Sequence, residues 1–275
     1  MRRLWLVLLA IALIAIMVPT ARAQTFLLTD DNSSVNIANV YGNGPEAYTW
    51  YVDHTNNLYE QGFWLRVGSE TQETSLGAYY TGATQVLPNV VKLSFSHVFD
   101  ISVTYTLIGG GPGSGTADIG EAIAIKNNSG HAAGLHFFQY SDFDLYNHTP
   151  GGDELMFTND NTVQQWGDVP NPRVLTETVA TPAPAHHEGA AYSTLLSSLN
   201  DNAVTTLNDT PAVGTTMGPG DMTWAYQWDH AMAPGGSFTI SKDKNLSSVP
   251  EPGTMLLLGF GLLGAEITRR RRKRG

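Results

Sequence analysis

The sequence predicts an all-β domain with a sandwich or jelly-roll-like architecture, and three observations support this fold class. Apolar and polar residues alternate at every second position over a long central stretch. Short segments rich in aromatic and β-branched residues recur along the chain, and Gly, Pro and Asn turns separate them. Hardly any segment has the helical period, and no internal repeat of fixed length argues for a solenoid or a propeller.

The clearest strand signal covers residues 91–107. Apolar side chains occupy every second position on either side of a break at residues 96–98, so one sheet face should be apolar and the other polar. We therefore expect two strands joined by a bend, followed by a loop at "GGGPGSG", residues 109–115. The alternating residues are Val91, Leu93, Phe95, Phe99, Ile101, Val103, Tyr105 and Leu107.

Further strands are predicted on both sides of this segment. Residues 118–145 favour a hairpin, because the turn sequence "NNSG" stands between two apolar runs. The segment "TPAPAHHEGAA" predicts a long loop, and "YSTLLSSLND" after it predicts a short helix. The other strand candidates are residues 47–53, 62–67, 174–180, 222–229 and 238–241.

The N-terminal residues have the pattern of a secretory signal peptide. Arg2 and Arg3 precede an apolar run over residues 4–18, and a small-residue site follows, so we expect signal peptidase to cleave between Ala23 and Gln24. A permanent membrane anchor is less favoured, because the run is shorter than the about 20 residues that a spanning helix needs.

The C-terminal residues combine a short apolar segment with a block of cations. Residues 252–268 would form a helix of about 25 Å against about 30 Å of hydrocarbon, so a transmembrane helix could only just cross. The cations would hold the C-terminus in the cytoplasm by the positive-inside rule, and their contact with an apolar segment argues against nucleic-acid binding. They are Arg269, Arg270, Arg271, Arg272, Lys273 and Arg274.

Together with Val249, Pro250, Glu251 and Pro252, this tail resembles the PEP-CTERM sorting signal of Gram-negative bacteria. The resemblance implies that an exosortase-type membrane transpeptidase reads the Pro-Glu-Pro element and processes the tail. Proline restricts the backbone to extended forms, which suits a recognition strip at the membrane surface. The resemblance also implies export, a transient inner-membrane anchor, and delivery to the outer surface or an extracellular biofilm matrix.

The predicted organisation is a signal peptide at residues 1–23, an acidic extracellular domain at residues 24–249 and a sorting signal at residues 250–275. Without the two ends, six cations remain against 23 acidic residues, a net charge of −17. Such a surface repels nucleic acid and anionic lipid and favours divalent cations or uncharged sugars. The chain has no cysteine, which excludes disulfides and a thiol nucleophile.

Asp142 and Asp144 in "QYSDFDLYN" are candidate ligands for a hard cation such as calcium, with Asn147, Asp153 and Glu154 close behind. The Asp-x-Asp spacing places two carboxylates on the same side of an extended chain, and calcium prefers oxygen ligands. The alternative is that both are solvent-facing acids on an acidic surface. No other cofactor is expected.

Trp224, Tyr226 and Trp228 should share one strand face, which forms either the sandwich interior or a platform that stacks against sugar rings. His186 and His187 lack the HExxH spacing of a metal site, and no catalytic motif appears, so no catalytic residue is assigned. A non-catalytic structural or adhesive role at the cell surface is favoured. The alternatives are a module that binds extracellular polysaccharide, with calcium as an aid, and a glycan hydrolase with two suitably spaced carboxylates.

Overall fold

A computed structural model describes residues 25–39, 46–145, 151–167 and 173–248. Two antiparallel β-sheets pack face to face around one large apolar core, so the predicted all-β sandwich is confirmed. The predicted signal peptide, the Pro-Glu-Pro element, the apolar tail segment and the basic block lie outside the described residues. Within the described ranges, no helix has the length and apolar character that crossing a membrane requires.

Within the described ranges, the sandwich consists of eighteen strands and one short α-helix. Helix α1 covers Thr194–Leu199, and a single 3-10 turn covers Leu76–Tyr79. The strands are β1 (Phe26–Asp30), β2 (Ser33–Ala38), β3 (Glu46–Val52), β4 (Thr55–Asn56), β5 (Glu60–Val67), β6 (Thr74–Ser75), β7 (Tyr80–Leu87), β8 (Val90–Ser96), β9 (Phe99–Gly109), β10 (Ala117–Asn127), β11 (Ala133–Asp142), β12 (Asp153–Asn159), β13 (Thr162–Gly167), β14 (Arg173–Thr181), β15 (His186–Ala191), β16 (Thr216–Gly220), β17 (Met222–Met232) and β18 (Ser237–Ser248).

The first sheet has the strand order β1-β2-β3-β5-β11-β17-β15, with β4 paired to β3 and β6 paired to β5. The second sheet has the order β16-β12-β13-β14-β18-β10-β9-β8-β7. The period-two segment forms β8 and β9 with a break at residues 97–98, and all eight alternating apolar residues are buried in the core. The alternation therefore identified the inward face correctly.

The predicted hairpin over residues 118–145 is wrong. Strand β10 pairs with β9 and β18 in the second sheet, whereas β11 pairs with β5 and β17 in the first. The turn carries the chain from one sheet to the other, and the Asn127 side-chain amide fixes it by donating to the carbonyl oxygens of His131 and Met232 at 2.8 and 3.0 Å. The alternation of apolar and polar residues predicts which face of a strand is buried, but it does not predict which strand lies next to it in the sheet.

The predicted long loop over residues 181–191 is also corrected, because its second half forms β15 and pairs with β17 at the edge of the first sheet. The short helix after it is confirmed as α1. Leu195 and Leu199 of α1 cover the outer face of the first sheet, where they pack over Trp64, Phe138 and Tyr140. The first sheet is thus buried on both faces near β5 and β11.

Candidate functional site

Carboxylates gather at one end of the sandwich. Asp142 ends β11 and pairs with Glu60 at the start of β5, while Asp221 immediately precedes β17. Because both neighbours run antiparallel to β11, their first residues meet its last ones at the same edge. Asp153 begins β12 in the opposite sheet. We call Glu60, Asp142, Asp144, Asp153 and Asp221 the acidic end.

Three members of the acidic end form a compact group. Asp142, Asp144 and Asp221 each present an oxygen within 4.8 Å of the other two. Asp142 and Asp144 are only 1% and 3% exposed, so the solvent-facing alternative is excluded for both. The Tyr140 hydroxyl donates to Asp142 Oδ2 at 3.2 Å, but the buried Asp142 Oδ1 accepts no hydrogen bond from the part of the chain that the structure describes.

The acidic end is electrostatically unbalanced. Burial and, after it, the charges of Asp144 and Asp221 together raise the pKa of Asp142 to about 8. Burial and the same two neighbours raise the pKa of Asp153 to about 8, and burial raises the pKa of Glu60 to about 7. At neutral pH Asp142 and Asp153 are therefore mostly protonated, and Glu60 partly so, unless a bound cation stabilises their charged forms.

An accessible aromatic pair borders the acidic end. The rings of Tyr59 and Tyr192 meet edge to face with their centroids 6.1 Å apart, and Tyr192 is 40% exposed. The Tyr192 amide donates to the carbonyl oxygen of Asp221 at 2.7 Å, and the Tyr59 amide donates to that of Asp142 at 3.0 Å. The backbone thus holds an exposed tyrosine directly beside the carboxylates.

A second group of buried charges lies between the sheets and is fully paired. We call Glu121, Glu177, Lys242 and Lys244 the buried ion quartet; all four side chains are inaccessible to solvent. Lys244 Nζ lies 2.5 Å from a Glu121 oxygen and 3.3 Å from a Glu177 oxygen, and Lys242 contacts both glutamates as well. No substrate can reach these groups in the folded chain.

The ion quartet reverses the effect of burial on a carboxyl. Burial by itself would raise the pKa of Glu177, but Lys242 and Lys244 hold it at about 2. The Trp224 indole N–H adds a hydrogen bond to Glu177 at 2.9 Å. Burial lowers the pKa of Lys242 to about 8 despite both glutamates. The quartet is a structural network in the core.

The structure places the proposed sugar platform inside the protein. Trp224, Tyr226 and Trp228 do share one face of β17, but that face points into the core and the three side chains are at most 1% exposed. They belong to the sandwich interior, and the platform interpretation is wrong. Large aromatic residues on an inward face of a two-sheet fold have no route to a sugar ring.

The paired histidines lie away from the acidic end. His186 Nδ1 lies 2.9 Å from Asp209 Oδ2, and the His187 backbone N–H donates to Asp209 Oδ1 at 3.1 Å. Asp209 is half exposed, and the described contacts join β15 to the loop before β16. This arrangement fastens a loop to a sheet edge.

Sequence reasoning found Asp142 and Asp144 but missed Asp221, Tyr59 and Tyr192, because sheet pairing alone brings these distant segments together. The quartet did leave a signal. Lys242 and Lys244 lie on the same inward face of β18 as the apolar Ile240 and Leu246. Glu121 and Glu177 likewise lie on the inward faces of their own strands. Charges in register with an inward apolar set predict a buried ion network.

The comparison with protein families bears on the C-terminus. The family model of the PEP-CTERM protein-sorting motif matches residues 248–273. This chain carries a PEP-CTERM sorting motif. The motif indicates that the PEP-CTERM protein is exported, held at the membrane and then processed by an exosortase-type enzyme. No curated protein sequence matches the chain.

Solved structures resemble the sandwich of this PEP-CTERM protein. A bacterial glucoamylase in complex with acarbose has a TM-score of 0.58 at 11% identity, over 88% of this chain and 35% of the glucoamylase. An aldose epimerase homologue from C. elegans has a TM-score of 0.53 at 8% identity, over 83% of this chain and 100% of the homologue. The chain thus spans about a third of the length of the glucoamylase.

These likenesses correct two expectations drawn from the sequence. A purely structural or adhesive role and the absence of enzymatic activity are both contradicted by a fold found in carbohydrate-related proteins. At 8–11% identity the likeness establishes the sandwich fold itself. The carbohydrate-related alternatives fit this finding better than the structural role does.

Proposed function

We propose that this PEP-CTERM protein acts outside the cell on a carbohydrate, which it binds at the acidic end. The observation that most supports this proposal is the exposed Tyr192 beside Asp221, at one end of a sandwich resembling a glucoamylase that was solved with acarbose. Sugar recognition combines an aromatic surface for the ring with polar groups for the hydroxyls. Tyr192 and the half-buried Asp221 supply both within one small area.

The charge of the domain supports the same substrate class. A net charge of −17 over residues 24–249 repels phosphate-rich and other anionic polymers, so a neutral glycan is the favoured ligand and nucleic acid is not a partner. Three cations of this domain, Arg66, Lys242 and Lys244, are buried together with the glutamates that they pair with, so they do not offset the acidic residues on the surface. The host's extracellular polysaccharide is the natural first candidate.

Glycan binding is tested by titrating the purified full chain with that polysaccharide. Tyr192→Ala should weaken binding about tenfold, since an aromatic contact contributes about 0.5–1.5 kcal/mol beyond its buried area. Tyr51→Ala is the matched control, because Tyr51 is also 40% exposed but lies on β3. Equal loss in both variants, or in neither, would contradict the proposed site.

A second candidate function is processing of the bound glycan, and the raised pKa of Asp153 favours it. A carboxyl with a pKa of about 8 keeps its proton at neutral pH, as a general acid requires. Because Asp153 is only 2% exposed, this activity requires the glycan to enter the acidic end more deeply than contact with Tyr192 does. Release of new reducing ends from the polysaccharide would establish this activity, and Asp153→Asn should abolish it while sparing binding. The half-buried Asp118, on β10, offers a control carboxylate for the same substitution.

We further propose that signal peptidase removes residues 1–23 and that the tail spans the inner membrane with its basic block in the cytoplasm until processing. The protein then reaches the outer surface or the extracellular matrix. Replacing both Pro250 and Pro252 by Ala should leave an unprocessed form in the membrane fraction of an exosortase-containing host, seen as a larger band by immunoblot. Normal processing of this variant would contradict the role of the Pro-Glu-Pro element.

A further inference from the structure

We infer that the acidic end contains a calcium site whose protein ligands are Asp142, Asp144 and Asp221. The geometry is the first argument. Calcium lies about 2.3–2.6 Å from its oxygen ligands, so any two ligands are at most about 5 Å apart. The three carboxylates meet this condition, because each offers an oxygen within 4.8 Å of the others.

The second argument is independent of the clustering. Asp142 is 1% exposed, and its Oδ1 accepts no hydrogen bond within the described ranges. A buried carboxylate oxygen without a donor is costly, and native proteins rarely leave one without a compensating group. Asp153, 2% exposed, has a second such atom, Oδ2, within reach of the charges of Asp144 and Asp221. A cation bound by Asp142, Asp144 and Asp221 supplies the partner that Asp142 Oδ1 lacks, and its positive charge offsets the carboxylate charges that act on Asp153.

The ligand chemistry selects the ion. The three candidate ligands are all carboxylates, and hard oxygen ligands favour calcium or magnesium over zinc or copper. Calcium accepts six to eight ligands in irregular geometry. This tolerance suits a ligand set in which Asp142 and Asp144 come from one segment and Asp221 comes from another. Magnesium demands a near-ideal octahedron and keeps most of its water, which a largely buried pair of carboxylates disfavours.

Both the cation site and the proposed glycan site lie at the acidic end, but the cation site requires no sugar. Asp221 is the member that joins them, because it is half buried and its carbonyl accepts the Tyr192 amide. A calcium ion held there would fix the loop that presents Tyr192. The two proposals therefore make separate predictions, since ion binding is measurable without polysaccharide.

The test is calcium titration of the purified full chain after treatment with a chelator, followed by calorimetry and by terbium luminescence excited through the protein's aromatic residues. We expect one calcium ion per chain, with a Kd at or below about 1 mM as in extracellular modules. Asp142→Asn should abolish binding, and Asp221→Asn should weaken it about tenfold or more. Asp221→Asn provides the test if Asp142→Asn does not fold, because Asp221 is less buried.

Asp118→Asn is the matched control. Asp118 also carries a raised pKa next to a second carboxylate, Asp243, but lies on the outer face of the second sheet. Calcium affinity unchanged in this variant supports the site. The inference is overturned if the wild type binds no calcium at about 10 mM, or if Asp118→Asn weakens binding as much as Asp221→Asn does. Calcium binding without polysaccharide binding would contradict the glycan proposal alone. Polysaccharide binding without calcium binding would contradict the cation site alone.

Discussion

The sandwich buries two groups of carboxylates with opposite outcomes. In the ion quartet, two lysines on β18 neutralise Glu121 and Glu177, and the pKa of Glu177 falls to about 2. At the acidic end the main charges acting on Asp142 are other carboxylates, and its pKa rises to about 8. Burial is nearly complete in both places, so the sign of the neighbouring charge decides the result. A group completed within the fold stabilises structure, whereas an incomplete group is suited to a ligand.

The largest effect on stability is expected when one charge is removed from the ion quartet. Glu177→Gln leaves two buried lysines with a single carboxylate, and we expect a loss of about 3–5 kcal/mol in the free energy of unfolding. Urea unfolding measures it. Lys92→Met is the control, because Lys92 is exposed on β8 and its replacement should change stability by less than about 0.5 kcal/mol. A cost near that of the control would mean that the quartet is not a tight network.

The pH dependence of stability should separate the two groups. Asp142 and Asp153 have folded-state pKa values of about 8 against about 3.9 when unfolded, so between these limits the folded chain binds more protons. Stability without calcium therefore falls as pH rises from about 4 to about 8, by at most about 1.4 kcal/mol per pH unit for each group.

Glu177 behaves in the opposite sense. Its folded-state pKa of about 2 lies below the unfolded value of about 4.3, so its contribution is lost as pH falls from about 4 to about 2. Urea midpoints measured from pH 3 to pH 8 in the presence of a chelator test both limbs. Asp142→Asn should make the neutral limb shallower, because Asp153 still contributes to it, and should leave the acid limb in place. A wild-type profile that is flat between about pH 5 and 8 would refute the raised pKa values at the acidic end.

The smallest effect is expected where a charge pair is exposed. Asp209, half exposed, accepts from His186 and from the His187 backbone, and these contacts lower its pKa although partial burial opposes them. Surface pairs of this kind contribute about 0–1 kcal/mol, so Asp209→Asn should cost less than about 1 kcal/mol in thermal or urea unfolding. A loss comparable to that of Glu177→Gln would show that exposure is not what distinguishes these charges.

Sequence patterns predicted the faces of the strands better than their neighbours. The alternation in β8 and β9 placed every inward residue correctly, yet β10 and β11 were assigned to one hairpin and lie in different sheets. Asp142 and Asp144 stood out because they are two residues apart. Asp221 did not, because only the pairing of β11 with β17 brings it near them. Local spacing is visible in a sequence, whereas contacts between distant strands depend on the topology.

The exit point of the chain has a mechanical consequence. The last described residue, Ser248, ends β18, and the match to the sorting motif begins at this same residue. Strand β18 lies between β10 and β14 and is hydrogen-bonded to both along most of its twelve residues. A force that pulls the tail along the axis of β18 is perpendicular to the hydrogen bonds that join β18 to β10 and β14. Both sets of hydrogen bonds therefore resist the force together. The tail thus leaves the domain from an interior strand that is paired on both sides. A force on the tail is therefore opposed by many hydrogen bonds at once, and the strand is not separated from the sheet one bond at a time.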